Sequence, residues 1–179
     1  MSIRYPIVMI VTEAGEPDLP AVAEIHAAAA RDTHATFDFV GRPLGYWQST
    51  LAAVDPVAGH LFLVARDEAG AVTGYAKSGR FIDKPGYDTT VETSIYVAAD
   101  ARGRGVGRAL YVELLARLDR TDLALAVGGV AEPNEASTRL HLALGFTRVG
   151  RFESVGTKFG RLWDVTWYQR PLGGHPSRA

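Results

Sequence analysis

Arg102, Gly103, Arg104, Gly105, Val106, Gly107 and Arg108 set three glycines among three arginines just before an apolar helical pattern. Glycine lets a ligand approach the main chain, and the first turn of a helix presents unpaired N–H groups, so this loop can cradle an oxyanion. Arg104 and Arg108 can add charge at the rim, and a pyrophosphate is the ligand the geometry suits. The same residues also read as a basic, well-capped helix start. A dinucleotide fingerprint would need glycine where Arg108 stands and would follow the first strand, and no G-x-x-x-x-G-K-[ST] string exists here.

Two further groups of residues can move protons. In an extended strand Glu92, Ser94 and Tyr96 share one face, while Val91, Thr93, Ile95 and Val97 share the other. Glu92 reads either as part of a solvated face or, because its strand falls mid-chain and both faces are expected to be covered, as a carboxylate that needs a partner or a task. Asn134, Ser137 and His141 recur at i, i+3 and i+7 on one helix face. Asn134, the one asparagine in the chain, suits a helix cap, and His141 reads as packing or as a titrating group.

The elements that must hold these groups alternate along the chain. A strand over residues 7–14 precedes a helix over 16–35 that Asp18 and Pro20 open, and a second helix falls within 45–54. Residues 60–81 read as a hairpin and 89–100 as a further strand, ahead of the glycine loop. Leu110, Leu114, Leu115 and Leu118 form the stripe of a third helix, 122–130 is a buried strand, and 133–146 is a short helix ended by Gly145. Two strands close the chain.

At 179 residues and 47% hydrophobic the chain suits one domain with a sizeable core. A formal charge of −1 gives no reason to expect nucleic acid or an anionic membrane as partner. With no cysteine, disulfides, thiolate metal sites and cysteine nucleophiles are excluded. The apolar run near the start is too short for a signal segment, and no stretch approaches the roughly 20 apolar residues of a membrane span, so a cytoplasmic protein is expected. Arginine outnumbers lysine sixteen to three, a bias assigned to base composition.

Taken in order, "DLPAVAEIHAAA", "GYDTTVETSIYVAADARGRGVG", "PNEASTRLHLALGF" and "VGTKFGRLWDV" resemble the GNAT superfamily of acyl-CoA-dependent N-acyltransferases, and within it the phosphinothricin acetyltransferase branch. The resemblance implies an α/β fold with a mixed, mostly antiparallel sheet of about seven strands and flanking helices. It covers a single domain over residues 1–171, with 172–179 a disordered tail. It implies acetyl-CoA as co-substrate, held by Ile95, Tyr96 and Val97 along the strand, by Arg102 to Arg108 at the pyrophosphate and by Asn134 at the pantetheine arm. No metal is needed.

Glu92 and His141 take the catalytic positions, His141 as partner base or as acid for the thiolate, and a backbone N–H at or near Val97 meets the oxyanion. Phe37, Tyr87 and Lys84 fall at acceptor positions with Arg80 close by, while Ile82 stands where a lysine is expected. The implied acceptor is a small amine or amino acid such as phosphinothricin, methionine sulfone or methionine sulfoximine, and the implied assembly is a homodimer. Tyr87 and Phe37 favour a closed small pocket over the open groove of a protein N-terminal acetyltransferase. A non-catalytic acyl-CoA sensor could dispense with Glu92 and His141, which this chain has. The remaining histidines, His26, His34, His60 and His175, match no catalytic position and read as surface or packing residues, with His34 at a pocket wall.

Overall fold

The computed structural model describes residues 9–173. Its elements run β1 (Ile10–Glu13), α1 (Leu19–Asp32), α2 (Leu44–Ala52), β2 (Phe62–Arg66), β3 (Val72–Arg80), β4 (Thr90–Val97), α3 (Val106–Leu118), β5 (Leu125–Ala131), α4 (Glu135–Ala143), β6 (Thr147–Lys158) and β7 (Arg161–Pro171). One seven-stranded sheet has the order β1-β2-β3-β4-β5-β7-β6, antiparallel at every pairing except β4–β5. This is the mixed, mostly antiparallel α/β arrangement expected.

Strand alternation divides the core in two. Phe62 and Val64 of β2 and Tyr75 of β3 point to one face, where Leu19, Val22, Ile25 and Trp47 of α1 and α2 cover them. Leu63, Ala65 and Ala76 point to the other, under Leu110, Leu114, Leu115 and Leu118 of α3. The leucine stripe read from the sequence is thus the buried face of α3, joined by Tyr111, which is 1% exposed. No described helix is long and apolar enough to cross a membrane.

Three boundaries differ from the sequence reading. Residues 16–18 form a 3-10 turn, because the Asp18 carboxylate accepts from the Gly15 N–H and pairs with Arg66 instead of capping α1. Helix α1 ends at Asp32, where the Thr33 hydroxyl bonds back to Ala29 O, and residues 33–43 become a loop that carries Phe37. At the C-terminus, Leu172 and Gly173 are packed, not part of a free tail: Leu172 is 2% exposed with its N–H on Ala124 O, and the Gly173 N–H meets Asp119. The rest of that expected tail, with His175, lies outside the described residues, as does the start of the first predicted strand.

The β6–β7 hairpin turns on Phe159 and Gly160, at φ 52° and 69°, the two left-handed residues that a tight hairpin turn with the twist of its strands requires. A bulge between Phe152 and Gly156, with Ser154 at φ 54°, bends the hairpin over the loop after α1.

Candidate active site

Strands β4 and β5 pair only through Thr90–Leu125, Val91–Ala126 and Glu92–Val127, then part, although β4 continues to Val97 and β5 to Ala131. Glu92 stands at the vertex of this split. The β3–β4 register places Ile95 and Val97 in the non-hydrogen-bonded positions next to the Ala98 N–H to Thr73 O bond, so their N–H groups turn away from β3 into the opening.

The split leads into a cleft of about 500 Å³ lined by Ile95, Tyr96 and Val97 of β4, by Arg102, Gly103, Gly105, Val106, Gly107 and Arg108, and by Asn134, Ser137 and Leu140 of α4 with its cap. Gly103 and Gly105 have φ 72° and 86°, and a Cβ on either would meet nothing within 4 Å, so the loop leaves open space in front of the first N–H groups of α3. That is the fit a pyrophosphate requires. The Arg102 guanidinium donates to Val97 O and ties the loop to β4, whereas Arg104 is exposed and outside the cleft lining. Asn134 accepts from the Ser137 N–H, so the capping role is real, and it faces the cleft as well. His34 lines the opposite wall, stacked on Trp163 with ring centres 4.1 Å apart.

A smaller cavity of about 140 Å³ holds Glu92, Thr93, Ser94, Tyr111 and His141, and shares Ala35, Ile95, Tyr96, Asn134 and Ser137 with the cleft. The structure therefore brings Glu92 and His141 to one space at the inner end of the donor cleft. His141 is 2% exposed; its Nδ1 lies 2.8 Å from Ser137 O, a carbonyl that can only accept, so Nδ1 carries the proton and Nε2 has a bare lone pair. That Nε2 is buried without a hydrogen-bond partner. Burial pushes the imidazole below its ordinary value, the Ser137 bond opposing, which keeps the ring neutral.

Glu92 is more open than the sequence suggests. Helices α1 and α2 cover the Tyr75–Tyr96 end of its face but not the Gly79–Glu92 end, where a Cβ on Gly79 would meet nothing within 4 Å. The walls still remove enough water to push its carboxyl up, with Lys77 on β3 pulling the other way.

Phe37, expected at an acceptor position, packs its ring against Gly156 of the bent hairpin. Lys158, 2% exposed, reaches the same loop and donates from Nζ to Thr36 O at 2.7 Å. Neither Lys158 nor the buried Tyr111 and Thr93 was singled out by sequence; a lone lysine in a hairpin, a tyrosine beside a leucine stripe and a threonine on the apolar face of a strand look ordinary until the chain folds them together. The expected acceptor residues Arg80, Lys84 and Tyr87 line neither cavity. Arg80 pairs with Asp83 and with Asp88, Lys84 is exposed beside a 3-10 turn, and Tyr87 is 41% exposed against Phe81. A larger space of about 670 Å³ lies between α4 and the β6–β7 hairpin, rimmed by arginines, and shares only Pro133 with the donor cleft.

A split parallel pair with a glycine loop and helix N-terminus at its mouth defines an acyl-CoA-dependent transferase. The Acetyltransferase (GNAT) family profile matches residues 22–146, and the chain belongs to that family. It is 43% identical over 161 residues to a phosphinothricin N-acetyltransferase of Streptomyces coelicolor, covering 88% of this chain and 92% of the relative. It is 37% identical over 174 residues to an L-methionine sulfoximine/L-methionine sulfone acetyltransferase of Pseudomonas aeruginosa, covering 94% and 96%. The fold superposes with a TM-score of 0.89 on the crystal structure of a phosphinothricin acetyltransferase from Sinorhizobium meliloti in complex with AcCoA, at 31% identity over 96% of this chain and 92% of that one. The protein is an N-acetyltransferase with acetyl-CoA as its acyl donor.

Proposed function

We propose that this enzyme moves the acetyl group of acetyl-CoA directly onto the α-amino group of a small amino acid of the phosphinothricin or methionine sulfone type, with Glu92 as general base. The observation that carries this reading is Glu92 at the vertex of the β4–β5 split, in a cavity continuous with the donor cleft. An amine attacks a thioester only as the free base, and an α-ammonium near neutral pH must first lose a proton. Glu92, directly or through one water, takes it. The free N–H groups of Ile95 and Val97 face the split, where they can hold the pantetheine arm as an added strand and meet the developing oxyanion. When the C–S bond breaks the sulfur leaves as a thiolate and takes up a proton. The neutral His141 with its bare Nε2 acts as a proton acceptor in the resting site and returns that proton only after it has received one.

A screen of amines with detection of the released thiol tests the reading. Free coenzyme A should appear with phosphinothricin, methionine sulfone or methionine sulfoximine. Turnover of peptide N-termini with none of the small amino acids would overturn it.

We also infer a homodimer in the cytoplasm, where acetyl-CoA is supplied. Support comes from the β6–β7 hairpin, where Val149, Phe152, Val155, Phe159 and Leu162 are each more than half exposed. Light scattering should give twice the chain mass; a monomer mass at all concentrations would refute the dimer.

A further inference from the structure

The β3–β4 register puts Lys77 opposite Ser94 and Gly79 opposite Glu92, so Lys77 and Glu92 are diagonal neighbours on one face of the sheet. They are charges of opposite sign that do not pair: among the described residues, no hydrogen bond or ion pair engages the Lys77 ammonium. Lys77 is half-buried, between Phe62 on β2 and Ser94 on β4. The floor beside it is open, because Gly79 contributes no side chain and α1 and α2 do not extend over it.

Other cations near this end of the sheet are already engaged or solvated. Arg80 is held by Asp83 and Asp88, Arg42 by Asp38, Lys158 is buried on Thr36 O, and Lys84 stands in solvent. A half-buried ammonium with no hydrogen-bonded partner can receive an anion. As diagonal neighbours, Lys77 and Glu92 suit a ligand that carries an ammonium and a carboxylate on one carbon, which is the description of a zwitterionic α-amino acid. A chain that uses arginine for sixteen of its nineteen cations has lysine here, a compact point charge with freely rotating donors.

We propose that Lys77 anchors the acceptor's carboxylate and makes the site selective for α-amino acids over simple amines. This rests on the proposed acetylation at Glu92; Lys77 lines neither of the two cavities described above and stands beside Glu92 on the open face of β3 and β4.

The experiment is calorimetric binding to the coenzyme A-saturated enzyme, with methionine sulfone and its decarboxylated analogue 3-(methylsulfonyl)propylamine as probes, for wild type, Lys77→Met and Lys77→Arg. Steady-state acetylation of both probes runs in parallel. Wild type should hold the amino acid more tightly than the amine. Lys77→Met should weaken amino-acid binding about 10- to 100-fold, the usual effect of losing a charge-assisted hydrogen bond, and leave the amine nearly unchanged. Lys77→Arg should recover part of the loss, and an unchanged thermal shift with acetyl-CoA in each variant would report an intact fold. A wild type without preference for the carboxylate, or a Lys77→Met variant that loses both probes alike, overturns the proposal. Should the wild type bind the amino acid selectively yet acetylate neither probe, the acetylation reading fails while the binding comparison still supports Lys77.

Discussion

Glu92→Gln keeps the side chain's shape and removes its ability to take a proton. Loss of a general base costs roughly 10²- to 10⁴-fold in kcat, or about 3 to 5 kcal/mol in the barrier. The structure adds a pH signature. Desolvation holds the Glu92 carboxyl above its ordinary value, with Lys77 limiting the shift, so the base form is lost as pH falls through that raised value. His141, held below its ordinary value, is in its base form at neutral pH. With an acceptor amine of pKa about 8, roughly a tenth is neutral at pH 7 and nine-tenths at pH 9. A variant that can use only acceptor already neutral should therefore regain about tenfold between those pH values, and the deficit should narrow by about that factor without closing. Thiol release at saturating acetyl-CoA and acceptor, from pH 6 to 9, measures it. An unchanged kcat at pH 7 would refute the role outright, and a deficit independent of pH would show that Glu92 positions the acceptor without taking its proton.

Gly107→Ala tests the donor cleft more cleanly than a change at Gly105, whose φ of 86° would strain any side chain. The added methyl would sit at 3.4 Å from Leu140 and 3.5 Å from Ile95, an ordinary contact that the fold should tolerate, while occupying the cleft; the rise in Tm produced by acetyl-CoA should shrink, and a full rise would argue against the cradle. In Gly156→Ala the new Cβ would fall 2.3 to 2.7 Å from three Phe37 ring atoms, so the ring must move; stability should drop by roughly 1 to 3 kcal/mol and the KM for the acceptor should rise, as thermal melts and kinetics can show. Burial holds both His26 and His141 below their ordinary values, so the unfolded chain takes up protons before the folded one as pH falls. Unfolding free energy should decline below about pH 6.5, by at most about 1.4 kcal/mol per pH unit for each histidine, and His141→Gln should flatten that decline in denaturant titrations.

What the sequence disclosed and what it hid divide along a physical line. Local signals were strong where one element decides the outcome: the leucine stripe of α3, the glycine loop with its two left-handed residues, and the Asn134 cap all follow from short-range rules and reappear in the structure. The alternation that puts Glu92, Ser94 and Tyr96 on one face was equally legible, since period two is a property of any strand. The cover over that face was not. Whether α1 and α2 reach Glu92 depends on where α1 ends, and the Thr33 hydroxyl that ends it looks like any other β-branched residue in a helical run. The contact between the hairpin and the loop after α1 was hidden for a related reason, because Lys158 meets Thr36 O across 122 positions only after the bulge at Ser154 has bent the hairpin.

The site's position follows from the one parallel pairing in the sheet. Antiparallel neighbours here are joined through hydrogen bonds along most of their length, and each uses the N–H groups of the other. Strands β4 and β5 instead pair over three residues and part, so the N–H groups of Ile95 and Val97 are left without a strand to receive them. A buried N–H without an acceptor is costly, which makes an extended chain of alternating donors and acceptors a natural occupant of the gap. The glycine loop lies at the mouth because α3 starts where β4 ends, and Glu92 lies at the vertex because that is where the strands last touch. A donor laid along the split with its phosphates at α3 would thus have its thioester directed toward Glu92 and His141. Substituting Ile95 or Val97 changes only side chains and leaves those N–H groups in place. Chain geometry at the split, more than any side chain along it, should set where the acetyl group stops.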